Sequence, residues 1–116
     1  MDFRERNIVV LVRSKPFGKI VNFEGWRAAV GMFGMDHKST LLFMGEGVYS
    51  LLKTIDETPI RMFKSTYEGF DGKICVSRRS LAEHGITPAE LFDGVQVLDE
   101  AALSALLGES DVVITF

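Results

Sequence analysis

Few residues in this chain are of a type that performs chemistry, and each can be weighed singly. There is one cysteine, Cys75, and two histidines, His37 and His84. A lone thiol excludes an internal disulfide and a cysteine-built metal cluster, and two histidines this far apart give no HxxxH-type spacing. No metal ion and no cofactor are therefore expected. Cys75 stands in the run Ile74-Cys75-Val76-Ser77-Arg78-Arg79-Ser80. At the end of a strand, facing the amino end of a helix capped by Ser77 or Ser80, a thiolate would be stabilised by the helix dipole and by Arg78 or Arg79. Such a thiolate attacks a sulfur donor, and the persulfide it forms passes its outer sulfur to an acceptor thiol. The opposing reading is an inert core residue, since free cysteine is among the most buried residue types.

Two other segments invite a binding role. Ser14-Lys15-Pro16-Phe17-Gly18 follows the first apolar run, where phosphate loops occur. It lacks GxGxxG and GxxxxGK[ST], so it reads first as a turn made by Pro16 and Gly18. Gly45-Glu46-Gly47 lets backbone approach closely and offers Glu46 as an acid or hydrogen-bond acceptor, although such a sequence also serves as a plain turn into a helix. His84, before Gly85, reads as the cap of a short helix, and His37 as a solvated loop residue. No nucleophile-elbow motif is present.

The elements that must position these residues are legible in the apolar pattern. Strands are expected at Ile8-Val9-Val10-Leu11-Val12, Leu41-Leu42-Phe43-Met44, Ile74-Cys75-Val76, Val95-Gln96-Val97-Leu98 and Val112-Val113-Ile114. Short, consecutive, β-branched runs indicate strands buried on both faces, as in parallel sheets. Phe23, Trp26, Val30 and Phe33 share one helix face, as do Ile60, Phe63, Tyr67 and Phe70 behind a Thr58 cap and Pro59. Ser80-x-x-Glu83 and Thr87-Pro88-x-Glu90 have capping-box spacing, and Asp99 caps a helix that buries Leu103, Leu106 and Leu107 and stops at Gly108. Strands alternating with helices predict an α/β domain of three layers, flavodoxin-like, with a five-stranded parallel sheet and helices on both faces. Sites in such sheets form beyond the carboxyl ends of the strands.

The totals agree. A chain of 116 residues fits one domain, 1–116, and the 47% hydrophobic and 25% charged fractions are those of a globular protein. The net charge of −3 and the scatter of the 13 basic residues leave no footprint for nucleic acid. The first residues carry charges of both signs with no long apolar stretch behind them, so neither a signal peptide nor a membrane span is expected, and the reducing cytoplasm is the expected compartment. Nine Phe in so short a chain predict apolar surface that an oligomer covers.

Several segments, taken in order, are similar to the DsrE/DsrF-like family, and most to its DsrF and TusC branch. Ile74-Cys75-Val76-Ser77-Arg78-Arg79-Ser80-Leu81-Ala82-Glu83-His84-Gly85 resembles the family's cysteine strand followed by a Ser-Leu-x-x-x-Gly helix. The ending Asp111-Val112-Val113-Ile114-Thr115-Phe116 resembles that branch's terminal strand, and Ser14-x-Pro16-x-Gly18, Glu24-Gly25 and Phe43-x-x-Glu46-Gly47-Val48 fit as well. The resemblance implies a place in sulfur trafficking, either in sulfur oxidation or in the relay toward tRNA 2-thiouridine. It implies a trimer or hexamer, homomeric or built with DsrE/TusD-like and DsrH/TusB-like subunits, and a DsrC/TusE-like acceptor. It puts Cys75 at the family's cysteine position, and it equally allows a DsrF/TusC-type chain that serves as a structural partner. A small-molecule or nucleotide-binding module using the Ser14 and Gly45 loops is the third reading.

Overall fold

The computed structural model describes residues 4–18 and 20–116; residues 1–3, part of the charged start, lie outside it, as does residue 19. The chain runs β1 (Asn7–Val12), α1 (Val21–Gly34), β2 (Lys38–Phe43), a 3-10 helix (Gly45–Leu51), α2 (Arg61–Gly69), β3 (Lys73–Ser77) and α3 (Arg78–Glu83). A 3-10 turn (Pro88–Glu90), β4 (Val95–Leu98), α4 (Glu100–Glu109) and β5 (Val112–Thr115) complete it. All five strands are parallel, in the order β4-β3-β2-β1-β5. This is the expected three-layer α/β arrangement.

Handedness decides the layers. The connections from β1 to β2, β3 and β4 each step one strand in the same direction, so right-handed crossovers put α1, α2 and α3 on one face. The last connection leads from one edge, β4, back to the other, β5, and the same hand puts α4 on the opposite face. The side chains agree. Val10, Val12, Leu41, Phe43, Ile74 and Val76 pack with Trp26, Ala29, Tyr67 and Leu81. Val9, Leu42 and Cys75 point the other way and meet Leu103 of α4.

The expectation of strands buried on both faces holds for β1 to β3 and fails at the edges. No residue of β4 or β5 is fully buried, and Val112 and Val113 are each 42% exposed. A single helix cannot cover five strands, and the edge strands have neighbours on one side only. The helix boundaries agree with the sequence reading in part. Thr58 does not cap α2: its amide and hydroxyl both donate to Asp56 Oδ1, at 3.0 and 2.6 Å, and α2 begins after Ile60. Ser77 rather than Ser80 caps α3, accepting the Ser80 amide at 3.2 Å. α4 opens on Asp99, as expected, but passes through Gly108 to Glu109. The Thr87–Glu90 box does form, with Glu90 accepting the Thr87 amide at 2.7 Å, around a turn of only three residues.

Tyr67 ties the sheet to α2. Its hydroxyl accepts the Leu41 amide at 3.0 Å and lies 2.9 Å from the Ser39 carbonyl and 2.7 Å from that of Lys73, so its one proton serves two acceptors. Burial raises its pKa well above the ordinary phenol value. Tyr67→Phe leaves a buried amide and two carbonyls short of a partner, and is expected to cost about 2–4 kcal/mol. Urea melts of the two proteins check this; a cost below about 1 kcal/mol would mean that the hydroxyl is dispensable to the sheet.

Candidate functional site

Cys75 lies at the middle of β3, between Leu42 of β2 and Gln96 of β4. Alternation along the strand sends Ile74 and Val76 into the α1 side and Cys75 into the α4 side. There it is 3% exposed, packed among Val9, Leu42 and Leu103. Burial pushes the thiol above its ordinary pKa, and the charge of Lys73 offsets part of that. A thiol held in this way is mostly protonated at neutral pH, which lowers its nucleophilicity.

The sequence reading put the thiol at the strand's carboxyl end, before the helix amides. Two residues separate it from that end, and it faces the α4 side of the sheet, whereas α3 packs on the α1 side. Ser77 is buried and spends its hydroxyl as the α3 cap. Arg78 is exposed, and Arg79 Nε reaches Glu83 Oε1 at 3.1 Å in a surface pair. α3 itself packs Leu81 into the cluster that holds Val76, on the side away from the thiol.

The carboxyl ends of β1, β2 and β3 do come together, around backbone rather than around Cys75. Gly45 and Gly47 pack against the end of β1, Met44 donates its amide to the Val12 carbonyl at 3.1 Å, and Ser80 Oγ accepts the Gly45 amide at 3.1 Å. Glu46 is exposed. Phe116 continues the pairing of β5 with β1, its amide donating to Leu11 and its carbonyl accepting from Arg13, each at 2.8 Å. Gly18 takes φ +75, the turn expected of it. The Ser14 carbonyl accepts Asn22 Nδ2 at 3.0 Å, and Asn22 also donates to Ser50 Oγ at 2.6 Å. Asn22 and Ser50 are buried and were not singled out from the sequence; a polar residue four positions before Trp26, on the face that Trp26 buries, was the available signal.

The histidines divide. His84 caps α3 as expected, its Nδ1 2.8 Å from the Ser80 carbonyl and its ring edge-on to Tyr49 at 5.4 Å. His37 is half-buried rather than solvated, and its Nδ1 accepts the Arg6 amide at 3.1 Å, tying the start of β2 to the segment before β1. Among the described residues no three of His, Cys, Asp and Glu come together as metal ligands, and no helix is long and apolar enough to cross a membrane. The larger cavity, about 480 Å³, lies at the amino ends of the strands, between Lys38, Thr40, Lys73, Phe70 and Glu109.

Comparison with known proteins adds the following. The profile of the DsrE/DsrF-like family matches residues 6–116. The chain is 30% identical over 131 aligned positions to the intracellular sulfur oxidation protein DsrF of Allochromatium vinosum, covering 96% of each chain. It is 31% identical over 119 positions to a TusC homolog of Pasteurella multocida, covering 94% of this chain and 98% of that one. In structure it is similar to the ychN protein of E. coli, with a TM-score of 0.81 at 18% identity, over 97% of this chain and 100% of that one. It is also similar to MTH1491 of Methanobacterium thermoautotrophicum, a protein of unknown function, with a TM-score of 0.73 at 12% identity over the same shares.

Proposed function

The chain belongs to the DsrE/DsrF-like family, and from that membership we propose that it works as a non-carrier subunit of a sulfur-relay complex. Its partners in this reading are DsrE/TusD-like and DsrH/TusB-like subunits or further copies of itself, with a DsrC/TusE-like protein as the complex's sulfur acceptor. The observation that supports a structural role is the position of Cys75: 3% exposed beneath Leu103, with a thiol shifted toward its protonated form. Of the two expected anion partners, Arg78 is exposed and Arg79 is paired with Glu83. Exposed apolar side chains such as Phe17, Ile20 and Met62 supply surface for assembly.

The test is intact-mass spectrometry after exposure to a sulfane-sulfur donor, wild type beside Cys75→Ser. The proposal expects no sulfur gain on the isolated folded chain, and wild-type behaviour of Cys75→Ser in the assembled complex. A gain of one sulfur atom that a reductant reverses and Cys75→Ser lacks would make Cys75 the persulfide carrier instead.

A further inference from the structure

The tripeptide Phe-Asp-Gly occurs twice, as Phe70-Asp71-Gly72 before β3 and as Phe92-Asp93-Gly94 before β4. An Asp-Gly bond carries a reaction of its own: glycine has no side chain to shield its amide nitrogen, which can reach the carboxyl carbon of the preceding aspartate. The fold holds the two copies differently. The Asp71 amide donates to the Glu68 carbonyl at 2.9 Å, and the Gly72 amide to the Tyr67 carbonyl at 3.0 Å. Gly72 also lies so close to the Tyr67 ring that a carbon added to it would stand 2.5 Å away. The strand that follows, β3, is an interior one, buried from Ile74 to Ser77. Asp93 and Gly94, by contrast, are both exposed, and among the described residues neither of their amides donates to an acceptor. Nothing stands within 4 Å of a carbon added at Gly94. The strand that follows, β4, lies at an edge of the sheet and has no fully buried residue.

We propose that Asp93-Gly94 is a site of spontaneous isoaspartate formation in the native protein, and that the fold protects Asp71-Gly72 from the same reaction. The Gly94 nitrogen loses its proton and bonds to Cγ of the protonated Asp93 carboxyl. The Cγ–OH bond breaks, the leaving hydroxyl takes up a proton to depart as water, and a succinimide ring remains. Water then adds at one of the two ring carbonyls. Cleavage of the bond from nitrogen to Cγ restores aspartate, and cleavage of the bond from nitrogen to the main-chain carbon gives isoaspartate. Nothing is oxidised or reduced, and water is the only co-reactant. The attack requires the nitrogen to shed its proton and swing toward the side chain. The bond from Gly72 to Tyr67 opposes both, and Gly94 has no such restraint. Isoaspartate lengthens the main chain by one carbon and leaves the carboxylate on Cα. The added length falls between two fixed points, the Phe92 amide, which donates to the Leu51 carbonyl at 3.0 Å, and Val95, which pairs with Ile74. β4 has a neighbour on one side only, so its pairing loosens first. The reaction needs no partner and is independent of the sulfur-relay role.

The test keeps the full chain folded and warm in mildly acidic buffer, beside the same chain in urea. Both tripeptides are followed in proteolytic digests by electron-transfer fragmentation, which tells isoaspartate from aspartate at equal mass. In the folded chain isoaspartate is expected at position 93 at least ~10-fold faster than at 71, where the bonded and packed turn must open first. In urea the two positions are expected to react within about 3-fold of each other, since protection is lost with the fold. Asp93→Glu, whose longer side chain must close a larger ring, is expected to abolish the product at 93 and leave position 71 unchanged. The isoaspartyl form, separated by chromatography, is expected to exchange its β4 amides at least ~5-fold faster than the parent. Equal rates at the two positions in the folded chain, a folded chain that keeps Asp93 intact, or the same preference for 93 in urea would each overturn the proposal. Unchanged exchange in β4 would overturn the loosening of the edge strand.

Discussion

Alkylation of Cys75 by a small maleimide is expected to be slowed at least ~100-fold in the folded protein at pH 7.5, relative to the same chain in urea, since reaction requires both exposure and the thiolate form. Two features of the structure combine here. The thiol is 3% exposed under Leu103, and burial shifts its titration upward. Access therefore requires α4 to lift, and among the described residues α4 is the sole helix on its face of the sheet. Leu103→Ala should accelerate the reaction more than a surface change such as Ala105→Ser, because only Leu103 of this helix is fully buried. The pH dependence follows from the sign of the shift. A thiol whose folded pKa lies above its unfolded value binds its proton more tightly in the native state, so its contribution to stability is complete below the unfolded pKa of about 8.5 and is lost as pH rises beyond it. Cys75→Ala should flatten the alkaline fall of stability that begins above about pH 8.5, leaving the part from buried Tyr67, whose pKa is raised in the same sense, at still higher pH. A thiol that alkylates in the folded chain as fast as in urea would mean that Cys75 is open to partners, and the carrier role would then lead.

The sequence reading and the structure part at identifiable points. Strand and helix identities were legible because β-branched runs and three-to-four spacing report burial directly, and the parallel sheet followed from their alternation. What a one-residue pattern does not report is which face a residue takes once the strand is placed. Cys75 was assigned to a strand end from its neighbours Ser77 and Arg78, but β3 extends two residues past it, and alternation with Ile74 and Val76 sends the thiol under α4. Capping failed at Thr58, which is held by Asp56, whereas of the two candidates for α3 it is Ser77 and not Ser80 that takes the cap. Edge exposure was missed because Val112-Val113-Ile114 has the composition of a central strand, whereas its position in the sheet is fixed by the crossover of α4. Asn22 and Ser50 meet across 28 positions, and no local pattern announces such a pair.

Gly47→Ala is expected to destabilise the chain by about 3 kcal/mol or more, lowering the melting temperature by roughly 10 °C or more. A methyl on Gly47 would stand 2.2 Å from the Val12 carbonyl oxygen and 3.0 Å from its carbon. These are backbone atoms of a central strand, and the same oxygen accepts the Met44 amide at 3.1 Å, so neither partner can give way cheaply. Gly45→Ala provides the contrast. Its added carbon would meet only the Arg13 carbonyl at 3.8 Å, and its cost comes from φ +55, about 1 kcal/mol. Glu46→Gln, at an exposed side chain between them, should lie within about 0.5 kcal/mol of wild type. Calorimetry of the three variants distinguishes two accounts of this loop. A steep loss at Gly47, a small one at Gly45 and none at Glu46 follow if the loop exists to seat the 3-10 helix against β1. If Gly47→Ala melts like the wild type while Glu46→Gln loses activity in the assembled complex, the loop is a site rather than a seat, and Glu46 returns as an acid or acceptor for whatever the complex binds there.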